Sequence, residues 1–258
     1  MSAAVLIPVL AAILIFSPPI LFAAVISLIS FIAVSEWFRM QGRKPLDWLP
    51  AGLLALTLPW GLLGMGDFFW GVYLASALVL LLPASLLTRG SSEERAAWVR
   101  EMIFPLVVVA APLGFFVLIR QLTSGTSLIF YLLITLWVVD SAAYFTGMKF
   151  GRTPMAPKIS PGKTMEGLAG GLAAGFAAGG ILGPFLAGVD PLSGAALGIL
   201  LGILGQLGDL SESLWKRSAG LKDSGGLIPG HGGLLDRIDS FLLTTPAFYY
   251  AFRLVFLD

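Results

Sequence analysis

The sequence predicts an all-α, polytopic membrane protein with about nine transmembrane helices. Three observations carry that prediction: 57% of the 258 residues are hydrophobic, only 12% are charged, and charge-free windows are long and numerous. Soluble domains carry about twice that charge fraction, so a soluble enzyme or a disordered tail is excluded. The 16 Lys and Arg against 15 Asp and Glu leave no basic excess to hold a polyanion, so no nucleic-acid partner is expected. With no cysteine, disulfides, thiolate metal sites and cysteine nucleophiles are excluded.

The charge-free windows are 2–35, 48–66, 68–88, 102–119, 121–139, 167–189 and 191–208, with a shorter one at 240–252. About 20 helical residues cross a hydrocarbon core of about 30 Å, so most of these windows can span it. The first is too long for one helix, and Ser17-Pro18-Pro19 breaks it into a hairpin. Its amino-terminal part has no basic n-region and is followed directly by a second apolar run. Residues 3–16 are therefore expected to form a retained first helix, shortened by Pro8, rather than a signal peptide. The last window gains length if Asp236 to Asp239 lie at the membrane surface.

Lys and Arg in short loops set orientation. Arg39, Arg43 and Lys44 fall in one loop; Arg89, Arg95 and Arg100 in the next but one. The same alternation brings Lys149, Arg152, Lys158 and Lys163, then Lys216, Arg217 and Lys222, to one side. The intervening loops hold chiefly Arg120 and Arg253, so the basic side is expected to be the cytoplasm. The early charges, Glu36, Asp47, Glu93, Glu94 and Glu101 among them, are expected in solvated loops. Trp37, Trp48, Trp60, Trp70 and Trp98 near span ends read as interfacial anchors. Residues 1–120 are thus expected to form a scaffold, and 121–258 the catalytic region.

In the second half, ionised residues enter predicted helices. Asp140 ends the apolar run of 121–139; Asp209 and Glu212 end that of 191–208, with Ser213 and Lys216 continuing the face. Asp236 and Asp239 open the last helix at i and i+3. A carboxylate at mid-membrane costs at least about 2.5–3.5 kcal/mol, so these groups are expected to face a polar cavity. Gly167, Gly171, Gly175, Gly179 and Gly183 form one small-residue stripe, and Gly194, Gly198, Gly202 and Gly205 a second. Such spacing lets helix backbones approach closely and would hold Asp209 rigidly.

Two basic loops complete the pattern. Gly162-Lys163-Thr164 ends like a phosphate-binding P-loop, but the required first glycine is Pro157 and no buried strand precedes it. What remains is a Lys-Ser-Lys-Thr cluster (Lys158, Ser160, Lys163, Thr164) leading into a helix amino terminus, a setting suited to anionic oxygens. The second loop, 216–233, is bracketed by Asp209 and by Asp236-Arg237-Ile238-Asp239. Carboxylates suit hard divalent cations, and phosphates are held by those cations together with Lys and Arg. Phosphoryl or nucleotidyl transfer needs mainly positioning and charge neutralisation. His231, the only histidine, is open to three roles: phosphate donor, general acid or turn residue. A nucleophile that is already a phosphate needs no base, which ranks donation or positioning first.

Ser213-Leu214-Trp215-Lys216-Arg217, Lys222-Asp223 and Pro229-Gly230-His231-Gly232-Gly233-Leu234-Leu235-Asp236-Arg237-Ile238-Asp239 resemble the signature of the phosphatidate cytidylyltransferases, or CDP-diacylglycerol synthases. Asp140-Ser141-Ala142-Ala143-Tyr144 with Gly147, and Ser160-Pro161-Gly162-Lys163-Thr164-Met165-Glu166-Gly167, are similar to two further family segments. The resemblance implies a nine-helix, often homodimeric enzyme of the inner cell membrane with its site toward the cytoplasm. It would join CTP and the membrane lipid phosphatidic acid, with Mg2+ and room for a second cation, giving CDP-diacylglycerol and pyrophosphate. Carried onto this chain, Asp209, Asp236 and Asp239 would ligate metal, with Asp223 a further candidate. Lys222, Asp223, His231 and Arg237 would be catalytic. Asp140, Ser160, Lys163, Thr164, Ser213, Lys216 and Arg217 would bind substrate. The competing readings are a CTP-dependent enzyme acting on another lipid (a polyprenol kinase or ether-lipid cytidylyltransferase) and a cation-coupled transporter using Asp140, Asp209 and Asp236.

Overall fold

The computed structural model describes residues 12–13, 15–88, 90–225 and 232–256. The chain divides into two units, Met1–Gln121 and Leu122–Asp258. In the first unit the chain breaks at Ser17 and Pro18, and α1 runs from Pro19 to Met40 with the imino ring at its start, where no N–H is needed. It packs along α2, Pro45–Met65. A 3-10 turn at Gly66–Phe68 leads into α3, Phe69–Leu87. Gly66 has φ +61°, a backbone state that suits glycine and ends α2. Next come α4, Ser92–Pro105, a π turn at Leu106–Ala110, and α5, Ala111–Gln121.

Three expectations for this unit change. Arg39 lies in the last turn of α1 and Asp47 in the first turn of α2, and Glu93, Glu94, Arg95, Arg100 and Glu101 lie in α4 rather than in a loop. Ser91 and Glu94 explain why: the Ser91 hydroxyl accepts from the Glu94 N–H, while the Glu94 carboxylate accepts from the Ser91 N–H. This capping box satisfies two orphan donors and starts the helix early. Glu36 sits inside α1 and is only 2% exposed. Trp37 and Trp48 are buried rather than interfacial, Trp48 stacking on Phe38 and Trp37 lying against Phe104.

The second unit begins with α6, Gly125–Phe150. A β-hairpin follows, a departure from the all-α expectation: β1, Pro154–Ala156, pairs antiparallel with β2, Ser160–Thr164. Then come α7, Met165–Leu182, a π turn at Gly183–Ala187, and α8, Pro191–Ser218. Asp236 and Asp239 do not open the last helix. Asp236 lies in a separate turn, α9, Leu235–Ile238, Asp239 follows it, and α10 starts afterwards at Phe241 and runs to Phe256.

The glycine stripes are the seams of this unit. A Cβ on Gly167 would lie 2.8 Å from the Ala143 carbonyl of α6, and one on Gly175 would lie 2.8 Å from the Gly198 carbonyl of α8. Conversely, a Cβ on Gly198 would collide with the Gly175 carbonyl, and one on Gly194 with that of Gly179. Backbone therefore meets backbone along α7, and the absence of side chains permits it.

Among the described residues, six helical stretches are long and apolar enough to cross a membrane: Pro19–Met40, Pro45–Leu87, Ser92–Gln121, Gly125–Phe150, Met165–Ala187 and Pro191–Ser218. The 43-residue stretch Pro45–Leu87 contains the break at Gly66. The chain is a multi-pass membrane protein. The expected first helix, 3–16, lies almost wholly outside the described residues.

Candidate active site

The second unit contains a cavity of about 570 Å³. Four elements supply its polar wall. Asp140 comes from α6, Lys163 and Thr164 from the end of β2, Gln206 and Asp209 from α8, and Asp236 and Arg237 from α9 with Asp239 just after it. Trp137, Tyr144, Met148, Leu168 and Phe241 give it an apolar side.

Lys163 reaches the cavity because the hairpin is tied down at its base. The Glu166 carboxylate, in the first turn of α7, accepts from the backbone N–H groups of Arg152 and Thr153 at 3.0 and 3.1 Å and from the Thr153 hydroxyl at 2.8 Å. The Thr164 hydroxyl accepts from the Gly167 N–H at 3.1 Å. These bonds occupy donors at the start of α7 and fix the loop, so the basic group offered to the cavity is the side chain of Lys163. Its ammonium pairs with Asp209 at 2.7 Å and donates to the Gln206 carbonyl oxygen at 3.0 Å. The Gln206 amide N–H donates in turn to Asp140 at 3.1 Å. Ser213 donates to the other Asp209 oxygen at 3.4 Å.

A second polar network surrounds Asp236. Lys216 is held between Glu212 at 2.5 Å and Asp236 at 2.6 Å. The Asp236 carboxylate also accepts from the Ser224 N–H and hydroxyl and from the Gly233 N–H. Burial alone would raise the Asp236 pKa, but Lys216 and these N–H donors prevail and hold it down at about 2. Asp239 meets the opposite surroundings. Burial, then the neighbouring Asp209 charge, push its pKa up to about 7 against the Ser240 N–H it accepts and the charge of Lys163.

The cavity therefore brings together Asp140, Lys163, Thr164, Asp209, Asp236, Arg237 and Asp239. Lys216 touches it through Asp236, and Ser213 through Asp209. Ser160 lies in β2 and does not line it. Arg217 donates to the carbonyl oxygens of Ile159 and Leu221, clipping the hairpin tip to the end of α8. Lys222 and Asp223 are exposed and away from the lining. His231 lies outside the described residues.

One residue of this arrangement, Gln206, belongs to none of the motifs. Gln206 is a lone amide in a glycine-rich apolar helix, three residues before Asp209, and that isolation was its only signal. Glu212, expected to face the cavity, does not line it: it is 0% exposed and pairs with Lys216 one helical turn on. The donor chemistry of the cavity, carboxylates and an amide carbonyl, suits a hard cation. Among the described residues no three His, Cys, Asp or Glu side chains converge closely enough to hold one alone.

Residues 1–255 match the cytidylyltransferase family, and the chain belongs to it. It is 34% identical over 243 residues to the phosphatidate cytidylyltransferase of Bacillus subtilis strain 168, covering 90% of this chain and 89% of that protein. It is 35% identical over 252 residues to the phosphatidate cytidylyltransferase of Pseudomonas aeruginosa, covering 88% and 86%. It is also 45% identical over 133 residues to the uncharacterized protein YnbB of Escherichia coli K12. That match spans 52% of this chain and 45% of YnbB, less than half of that relative's length.

Proposed function

We propose that this protein is a phosphatidate cytidylyltransferase that converts CTP and phosphatidic acid to CDP-diacylglycerol and pyrophosphate. The observation that carries this reading is the Asp140–Gln206–Lys163–Asp209 chain of side chains, which places acidic and basic groups together in one cavity on apolar helices. A phosphate oxygen of the lipid attacks the α-phosphorus of CTP, the α–β bridging P–O bond breaks, and pyrophosphate leaves. The lipid phosphate is its own nucleophile, so the cavity has no need of a base and no covalent enzyme intermediate forms.

Lys163 meets the triphosphate, exchanging Asp209 for phosphate oxygens, and Arg237 adds a second cation at the rim. The apolar side of the cavity, with Trp137, Tyr144 and Met148, receives the glycerol and upper acyl chains, so the lipid tails remain in the bilayer. Asp209 and Asp239 would hold Mg2+, with Asp236 a further candidate. When bound, Mg2+ neutralises the departing pyrophosphate. The site faces the cytoplasmic leaflet of the inner membrane, and nine helices and a homodimer complete the assembly.

Purified protein given CTP and a panel of phosphatidate, ether-linked phosphatidate and polyprenol is expected to release pyrophosphate and form a CDP-lipid with phosphatidate. Phosphorylated polyprenol with no CDP-lipid would overturn the reading in favour of a kinase.

A further inference from the structure

We propose that Gln206 is a positioning residue that couples Lys163 to Asp140 and so sets the direction in which Lys163 presents its ammonium to the triphosphate. The inference rests on the cytidylyl-transfer reading of the cavity and extends it to a residue outside the recognisable motifs. Gln206 is 8% exposed and faces two groups of opposite character. Lys163 donates to its carbonyl oxygen at 3.0 Å, and its amide N–H donates to Asp140 at 3.1 Å. An ammonium has only donors and an ionised carboxylate only acceptors, so a bridging group must offer one of each. A carboxamide does so at this length. A carboxylate would satisfy Lys163 and repel Asp140, and an apolar side chain would satisfy neither.

The bridge joins three elements. Lys163 comes from β2 on a flexible four-carbon stem, Asp140 from α6 and Gln206 from α8. Asp209 alone would hold the ammonium by charge, which fixes distance but not direction. The Gln206 carbonyl adds a second, directional contact on the same helix, one turn earlier. Asp140, in turn, gains a donor in a cavity that it shares with the carboxylates of Asp209 and Asp239. The charged groups facing Gln206 are thus Lys163 and Asp140 directly, with Asp209 and Asp239 beyond them.

The test uses full-length protein carrying Gln206→Met, which keeps the side-chain length but removes both bonds, and Gln206→Glu. Two readouts are taken on the folded fraction: steady-state kinetics with CTP and phosphatidate, and the rate at which Lys163 is acetylated in nucleotide-free protein, followed by mass spectrometry. For Gln206→Met, kcat is expected to fall about 10- to 100-fold with KM for CTP little changed, and Lys163 to be acetylated severalfold faster. Gln206→Glu is expected to regain activity relative to wild type as pH is lowered, because a protonated carboxyl again offers one donor and one acceptor. Unchanged kcat per folded enzyme together with unchanged Lys163 labelling would overturn the proposal. A Gln206→Glu profile parallel to that of wild type would overturn it as well. Failure of the wild type to use phosphatidate would defeat the functional reading instead, and the labelling contrast would still decide the role of Gln206.

Discussion

Asp236, in α9, and Asp239, just after it, stand three residues apart, yet their surroundings pull them in opposite directions. Asp236 is saturated by Lys216, Ser224 and Gly233 and stays ionised, with a pKa near 2. Asp239 is half-buried beside Asp209 and titrates at about 7, above the ordinary Asp range. A carboxylate whose folded pKa is raised binds its proton more tightly in the folded state. Asp239 therefore favours folding below the ordinary range, and that contribution is lost as pH rises through about 7. Melting curves of metal-free protein between pH 5 and 8 are expected to show wild type losing stability with rising pH and Asp239→Asn losing less. Equal slopes would remove Asp239 as the source. Added Mg2+ is expected to restore wild type, but not Asp239→Asn, at the alkaline end. The presence of both acids was legible from their break in an apolar pattern. Their different states were not, because these depend on Lys216, Ser224 and Asp209, which only folding brings near.

The helices of the second unit hold the cavity walls through glycine seams. Gly175, Gly179, Gly194 and Gly198 meet backbone carbonyls across α7 and α8, and a backbone cannot swing aside as a side chain can. Gly198→Leu is expected to destabilise the detergent-solubilised protein by about 1–3 kcal/mol or more, read as a lowered melting temperature. Gly188→Ala, in the open left-handed turn after α7, tests strain without a clash and is expected to cost less. The four-residue glycine period and the charge-free windows were legible because both repeat along the chain. The β-hairpin was not: strands of three and five residues, Pro154–Ala156 and Ser160–Thr164, are too short to show alternation. The early start of α4 was legible in principle, since Ser91 and Glu94 carry the capping-box spacing.

At the level of the entire chain, the alternation of basic loops predicts that the hairpin and the carboxylate cavity open to the cytoplasm. The protein contains no cysteine, so a single introduced thiol reports its own location without background. Lys158→Cys, exposed between β1 and β2, is expected to react with a membrane-impermeant maleimide in inverted vesicles and not in intact spheroplasts. The reverse result would invert the topology and put the cavity on the side without CTP.

The central claim is that the cavity of the second unit performs cytidylyl transfer to phosphatidate. Its most direct test is the formation of labelled CDP-diacylglycerol from labelled CTP and phosphatidate by purified wild type and by Asp209→Asn, with folding verified by melting temperature. Wild type is expected to form the product with release of pyrophosphate, and Asp209→Asn to lose about 100- to 1,000-fold in kcat. An Asp209→Asn variant that turns over at the wild-type rate, or a folded wild type that forms no CDP-lipid, would contradict the account.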